Sequence, residues 1–252
     1  MTELEFHRLL VWGVLGVAAV TFWYLFRRTA PYGRHYAGSG WGPDISSKVG
    51  WVVMEWPAVL FFLSVYLQGE AAANVVPLVL LTMWQIHYVH RTFIYPFRTR
   101  TSGTTPLFVV AMGLVFNLVN AFINARFVSE LGEYGVSWLG DPRFVIGATV
   151  FVFGMILNLH SDNVLLRLRK DGTTEYGVPH GGAFRYVSCP NYLGEILEWT
   201  GWAIATWSLA GLSFAVFTFA NLAPRAVANH RWYRKNFPDY PPERRALIPG
   251  VW

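Results

Sequence analysis

The chain has 252 residues and a formal net charge of +5, and it is 54% hydrophobic and 17% aromatic with only 14% charged residues. With a positive mean hydropathy and neither an internal repeat nor a Ser/Gly/Pro-rich linker, this composition points to one integral membrane domain over 1–252. Cys189 is the only cysteine, which excludes an intrachain disulfide and a cysteine-based zinc cluster.

Apolar runs of roughly 17 to 25 residues, the length that crosses a bilayer, lie near 8–26, 49–67, 75–95, 106–126, 143–164, 192–207 and 211–228. The expected fold is all-α: a polytopic bundle of seven transmembrane helices, the last two joined by a short turn at 209–211. The first run has the length of a signal peptide, but Arg27 and Arg28 follow it and no small-residue cleavage site is evident, so it is read as a retained helix. Twelve tryptophans scattered near segment ends suit interfacial belts.

Lys/Arg content orients the bundle. The connection 27–48 carries Arg27, Arg28, Arg34 and Lys48; 96–105 carries Arg98 and Arg100; 165–190 carries Arg167, Arg169, Lys170 and Arg185. The tail carries Arg225, Arg231, Arg234, Lys235, Arg244 and Arg245, whereas 68–74, 127–142 and 208–211 are basic only at the rims, at Arg126 and Arg143. The N-terminus is therefore expected outside and the C-terminus in the cytoplasm. Membrane orientation accounts for the positive charge without nucleic acid, and part of that surface is available for an anionic cofactor.

Inside or at the ends of these runs lie Glu55, Tyr88, Asn158, Asp162, Asn191, Glu195 and Glu198. An acid at a helix centre costs roughly 3 kcal/mol by insertion scales, so such groups face a cavity or a partner. At about 100° per residue, Asn158, Asp162 and Arg169 fall within about 40° of one face. Asn191, Glu195 and Glu198 form a second stripe in the first turns after Pro190, and Arg225, Asn229 and Tyr233 form a third. Any one of these residues alone reads equally well as interhelical glue. Three stripes converging at the cytoplasmic end imply a polar cavity with the donors and cations to hold a large phosphorylated ligand.

A different chemistry lies deeper. The run His87-Tyr88-Val89-His90-Arg91-Thr92-Phe93 sets a phenol in a polar patch, and Glu55 stands two residues before Pro57. A proline inside a span frees a backbone carbonyl and bends the helix, which is tolerated where a cavity is lined. A neutral Glu55 and Tyr88 on neighbouring helices can both donate to one carbonyl oxygen; the competing reading pairs Glu55 with Arg91. His87 and His90 lack a third ligand at a diagnostic spacing, so no metal is expected. No G-x-G-x-x-G stands between a strand and a helix, Gly38-Ser39-Gly40-Trp41-Gly42 being a loop, and no G-x-S-x-G occurs.

Together with Leu168-Arg169-Lys170, Gly181-Gly182-x-Phe184-x-Tyr186, Asn191-Tyr192-Leu193-Gly194-Glu195-x-x-Glu198-Trp199 and Ala246-Leu247-Ile248-Pro249, these motifs closely resemble the steroid 5α-reductase family, most strongly over 49–252. The resemblance implies a seven-helix membrane reductase, of the endoplasmic reticulum or a bacterial inner membrane, that uses NADPH to saturate the double bond of a 3-oxo-4-ene steroid. It implies that Glu55 and Tyr88 are catalytic and hold the 3-oxo group, with Trp51 lining the steroid slot. It implies further that Arg100, Asn158, Asp162, Arg169, Tyr176, Asn191, Glu195, Arg225, Asn229 and Tyr233 line the NADPH site. Met54, Gly177 and Asn229 depart from better-known animal members, which often carry Gln, Arg and His there. Other enone or enoyl-lipid reductases share the C-terminal half. Pro190-Asn191-Tyr192-x-Gly194-Glu195 also resembles a motif of membrane S-adenosylmethionine-dependent methyltransferases, and a lipid-binding or transport bundle is the non-enzyme alternative. The oligomeric state is left open.

Overall fold

The computed structural model describes residues 1–29, 35, 41–99, 103–168 and 177–251. Among them the long helices are α1 (Glu3–Arg27), α2 (Ser47–Tyr66), α3 (75–98), α4 (Leu107–Leu131), α5 (Pro142–Leu168), α6 (Pro190–Thr206) and α7 (Leu209–Asn236). Two three-residue strands, β1 (Asp44–Ser46) and β2 (Thr104–Pro106), pair antiparallel and tie the entrance of α2 to that of α4. Five helices, α1, α2, α4, α5 and α7, are long and apolar enough to cross a membrane, as an integral membrane protein requires. The other two are the polar ones: α3 turns polar from His87 onward, and α6 has 17 residues that include Asn191, Glu195 and Glu198.

The α6–α7 break differs from expectation. Trp207 adopts a left-handed conformation, φ 46°, and the Ser208 side chain accepts from Gly211 N at 2.8 Å. Residues 209–211 are thus the first turn of α7, because Ser208 caps the helix ahead of them.

Three features of the helices position the polar groups. First, α5 and α6 run with their backbones in contact. A Cβ added at Gly154 would collide with the backbone of Gly194 and Glu198, and one at Gly201 with that of Gly147 and Phe151. Small residues at an interface allow this approach, and it carries the Asn158–Asp162 stripe directly onto the Asn191–Glu198 stripe.

Second, α2 is interrupted by a π-helical turn at Pro57–Phe61 and α3 by another at His90–Ile94. Such turns leave carbonyls short of helical partners, and neighbouring side chains supply donors. Trp84 Nε1 donates to Ala58 O at 2.7 Å, Gln85 Nε2 to Val59 O at 3.1 Å, and Asn117 Nδ2 to Met54 O at 2.7 Å.

Third, a core of Phe62, Trp84, Phe151, Trp199, Trp202 and Phe214 fills the bundle toward the 67–74 and 132–141 end. The Trp84 ring lies 4.5 Å from Phe62 and 5.2–5.3 Å from Trp202 and Trp199. Trp202 Nε1 donates to Asn124 Oδ1 at 2.9 Å, so the indole is anchored as well as packed.

At that same end Arg126 pairs with Glu3 at 2.6 Å and Arg143 with Asp141 at 2.8 Å. The two basic residues that blur the charge asymmetry are thus matched by acids. At the opposite end the chain after α7 folds back: Ser188 N and Cys189 N donate to Arg245 O and Ala246 O, and Ser188 Oγ lies 2.6 Å from His230 Nδ1 and 2.7 Å from the Tyr240 hydroxyl. Leu247 is buried with Cys189, Ala223 and Ala226, which clamps the start of α6 against α7.

Candidate active site

The site forms where α2, α3, α4, α5 and α6 meet, below the aromatic core. Arg91, on the π turn of α3, is its central cation. Its Nη1 lies 3.6 Å from Asp162 Oδ2 on α5 and its Nη2 3.7 Å from Glu195 Oε2 on α6. The guanidinium stands over the rings of Trp51 and Tyr95, at 4.6 and 4.9 Å, an arrangement that stabilises a desolvated cation. Trp51 is also held by its indole N–H, which donates to Arg91 O at 3.1 Å. One step deeper, His87 Nδ1 lies 2.8 Å from Glu198 Oε1. Glu198 is fully buried, and its other oxygen, Oε2, has no hydrogen-bond partner.

Glu55 is half-buried. Asn117 on α4 reaches it at 3.5 Å while donating more strongly to Met54 O. Thr92 Oγ1 lies 3.5 Å from Glu55 O. Tyr88 is buried, its ring 4.9 Å from Trp84, 5.4 Å from Trp199 and 5.0 Å from His87. These rings fix the direction of the phenol. The expected alternative, a structural Glu55–Arg91 ion pair, is replaced by the bridge from Arg91 to Asp162 and Glu195.

The first two stripes meet, and the third reaches α6 at Tyr192. Asn158 Nδ2 donates to Asn191 O at 3.0 Å, and Asn191 Nδ2 donates to Asp162 Oδ1 at 3.1 Å, which joins the first stripe to the second. Arg225 Nη2 and Asn229 Nδ2 both reach the Tyr192 hydroxyl, at 3.2 and 3.5 Å. His35 Nε2 lies 3.0 Å from Asn229 Oδ1, so the third stripe approaches α6 and the α1–α2 connection together. Tyr233 is buried and stacks on Tyr240 at 5.2 Å, which associates it with the C-terminal clamp. Arg100, Arg169 and Tyr176 lie outside the described residues.

Asn117 was not singled out from sequence, and Glu198 of the second stripe, Arg91 and His87 were read without the partners they have here, although each left a signal. His87 and Arg91 stand at i, i+4 on α3, and Glu195 and Glu198 at i, i+3 on α6. The two helices run antiparallel, so the matched spacings bring His87 to Glu198 and Arg91 to Glu195. Asn117, Asn120 and Asn124 form a stripe at i, i+3, i+7, all buried.

A family profile described as 3-oxo-5-alpha-steroid 4-dehydrogenase matches residues 103–252. Curated relatives align over most of the chain: a protein named steroid 5-alpha-reductase DET2 from Solanum lycopersicum is 43% identical, covering 96% of this chain and 96% of its own length. The chain belongs to this family. Its 3-oxo-5-alpha-steroid 4-dehydrogenase 1 members from Bos taurus and Homo sapiens are 41% and 40% identical, each over 86–88% of both sequences. Family membership favours the reductase reading over the methyltransferase and transport readings, which rested on the α6 motif and on hydropathy.

Proposed function

We propose that this member of the 3-oxo-5-alpha-steroid 4-dehydrogenase family reduces the 4,5 double bond of 3-oxo-4-ene steroids with NADPH, from a site open to the cytoplasm. Membership makes the chain an oxidoreductase acting on CH–CH donors. The finer reading is supported by a half-buried Glu55 on α2 and a buried Tyr88 on α3, two helices that approach where Thr92 Oγ1 lies 3.5 Å from Glu55 O, beside a cluster of amides and carboxylates on α5 and α6.

The donor set fits the dinucleotide. Asp162 and Glu195 accept from hydroxyls or a carboxamide, Asn191 both donates and accepts, and Arg225 supplies a cation beside Asn229 for a phosphate. Asn158 holds Asn191 in place, and Arg100, Arg169, Tyr176 and Tyr233 extend the same reading. NADPH, when bound, supplies the hydride that reaches the β-carbon of the enone.

The chain's own contribution is to polarise that enone. Glu55, as a neutral acid, and Tyr88 both donate to the 3-oxo oxygen, and both bonds strengthen as enolate charge develops there, which is preorganised oxyanion stabilisation; a proton then adds at the α-carbon, which restores the ketone and completes the saturation. Trp84 and Trp199 prevent the phenol from turning away, and Asn117 keeps the Glu55 turn of α2 in register. Trp51 forms an apolar wall of the slot while supporting Arg91. Arg91 keeps the Asp162 and Glu195 carboxylates from repelling each other, so the amide-lined pocket can form.

All seven helices cross the bilayer in this reading. α3 and α6 are tolerated because their polar faces are turned into the site, with the N-terminus outside and the C-terminus in the cytoplasm. The test is NADPH oxidation by detergent-purified protein with testosterone or progesterone, the product's ring fusion being assigned. A 5α-dihydro product supports the reading. NADPH binding without turnover shifts the substrate to another enone lipid, and failure to bind NADPH overturns the cofactor assignment.

A further inference from the structure

The inward end of α1 does not meet α7 flush. A cavity of about 170 Å³ opens between them, lined by Leu25, Phe26 and Thr29 of the α1 end, by Pro224, Val227 and Ala228 of α7, and by Arg27, Arg28 and Arg231. None of these three arginines has an acidic partner among the described residues; Arg27 alone is engaged, with its Cζ 4.4 Å from the Trp23 ring centre. Three cations thus surround one recess without a counter-charge. The recess is separate from the catalytic face of α7, because Arg231 lies about 120° around the helix from Arg225 at roughly 100° per residue.

Toward the membrane the seam below the recess is apolar and aromatic. Phe22 stacks on Phe219 at 6.2 Å and meets Phe26 tilted at 5.2 Å. Val20 and Trp23 are 68% and 58% exposed, and only 17% of the apolar window of α1 is buried, so α1 is bounded mainly by lipid on its outer side. Pro224 contributes no N–H to α7 and stands at the recess itself, where it removes one helical bond. A ligand that satisfies both parts has a phosphate at one end and long acyl chains at the other. Basic pockets between membrane helices on the cytoplasmic side have this preference.

We infer that the recess between the ends of α1 and α7 is a binding site for an anionic phospholipid, its phosphate held by Arg27, Arg28 and Arg231 and its chains lying along the Phe22–Phe219 seam. Ordinary snorkelling of interfacial arginines makes a different prediction, since it gives no special weight to the residues that line the cavity. Arg234 and Lys235, exposed on the next turn of α7 and outside the recess, serve as the control.

The experiment compares full-length protein in nanodiscs of phosphatidylcholine alone and of phosphatidylcholine with phosphatidylglycerol, reading Tm and, by native mass spectrometry, retained lipid. Phosphatidylglycerol is expected to raise the wild-type Tm and to be retained in preference to phosphatidylcholine. R28Q/R231Q is expected to lose the Tm rise and to retain roughly tenfold less phosphatidylglycerol, while R234Q/K235Q keeps both. Equal loss in the two double variants overturns the site, and so does an undiminished response in R28Q/R231Q. A matching Tm rise from inorganic phosphate in phosphatidylcholine discs overturns the lipid assignment in favour of a free anion. If R28Q/R231Q does not fold, the retained-lipid ratio of the wild-type protein decides, and no preference for phosphatidylglycerol overturns the proposal.

Discussion

The two ends of the bundle differ in how tightly most of their buried polar atoms are bonded, the Asn120 amide, which has no partner one turn from Asn124, being the exception at the tighter end. Toward the 67–74 and 132–141 end, polar side chains have short bonds: Trp202 to Asn124 at 2.9 Å, Tyr134 to Thr206 O at 2.6 Å and Trp138 to Ala205 O at 3.0 Å. Around Arg91 the ion pairs stretch to 3.6 and 3.7 Å, Asn117 reaches Glu55 only at 3.5 Å, and one Glu198 oxygen has no partner. Buried polar groups are normally satisfied, so the slack shared by five helices is the feature on which the proposed ligand site rests. The tighter end acts as the scaffold that holds the slack end in shape.

The largest effect is expected from breaking the slack end. Glu55→Ala and Tyr88→Phe each remove one donor outright. Losing one oxyanion donor costs about 10²–10³ in kcat, or roughly 2.7–4 kcal/mol of activation free energy. Steady-state kinetics should show that loss in kcat with little change in KM for NADPH, and with Tm near wild type because neither side chain carries a short bond of the scaffold. A wild-type rate in both variants would remove these residues from the chemistry.

Breaking the scaffold instead should cost stability. Gly154→Ala drives a Cβ into the backbone of Gly194 and Glu198, and overpacking of this kind costs about 1–3 kcal/mol. The helices can relieve it only by separating, which also pulls Asn158 from Asn191. Gly13→Ala on α1 is the control, because a Cβ there meets nothing within 4 Å and alanine is the better helix former. Thermal unfolding should separate the two variants clearly; equal Tm values would mean that the α5–α6 contact does not limit stability.

Five of the helices were legible as apolar runs of bilayer length, and the stripes on α5 and α6 were legible because helical periodicity depends only on sequence spacing. Partners were harder. Arg91 read as a partner for Glu55, since nothing local reveals that α5 and α6 offer it Asp162 and Glu195 together; the closeness of those two helices depends on Gly147, Gly154, Gly194 and Gly201 acting across them. The π turn at Pro57 was legible as a freed carbonyl, whereas its caps, Trp84 and Gln85, sit on another helix and look like ordinary core residues. Tyr233 matched the third stripe by spacing but packs on Tyr240, because the chain after α7 folds back, which helical periodicity does not encode.

The smallest effect is expected at the rim of the tighter end, where Asp141 meets Arg143. The Arg143 side chain and its backbone N–H both donate to the carboxylate, at 2.8–2.9 Å, and hold its pKa down to about 2. The unfolded value is about 3.9, so the folded pKa is the depressed one. The pair's contribution is therefore complete above about pH 4 and is lost as the pH falls through about 2. Being partly exposed at the surface, the pair is screened by water and salt, so the contribution is small. The Tm difference between wild type and Asp141→Asn should be slight and constant from neutrality to about pH 4, shrink toward zero near pH 2, and diminish with added salt. A difference that persists unchanged at pH 2 would mean that Asp141 acts through the first turn of α5, as an uncharged cap, and not through Arg143.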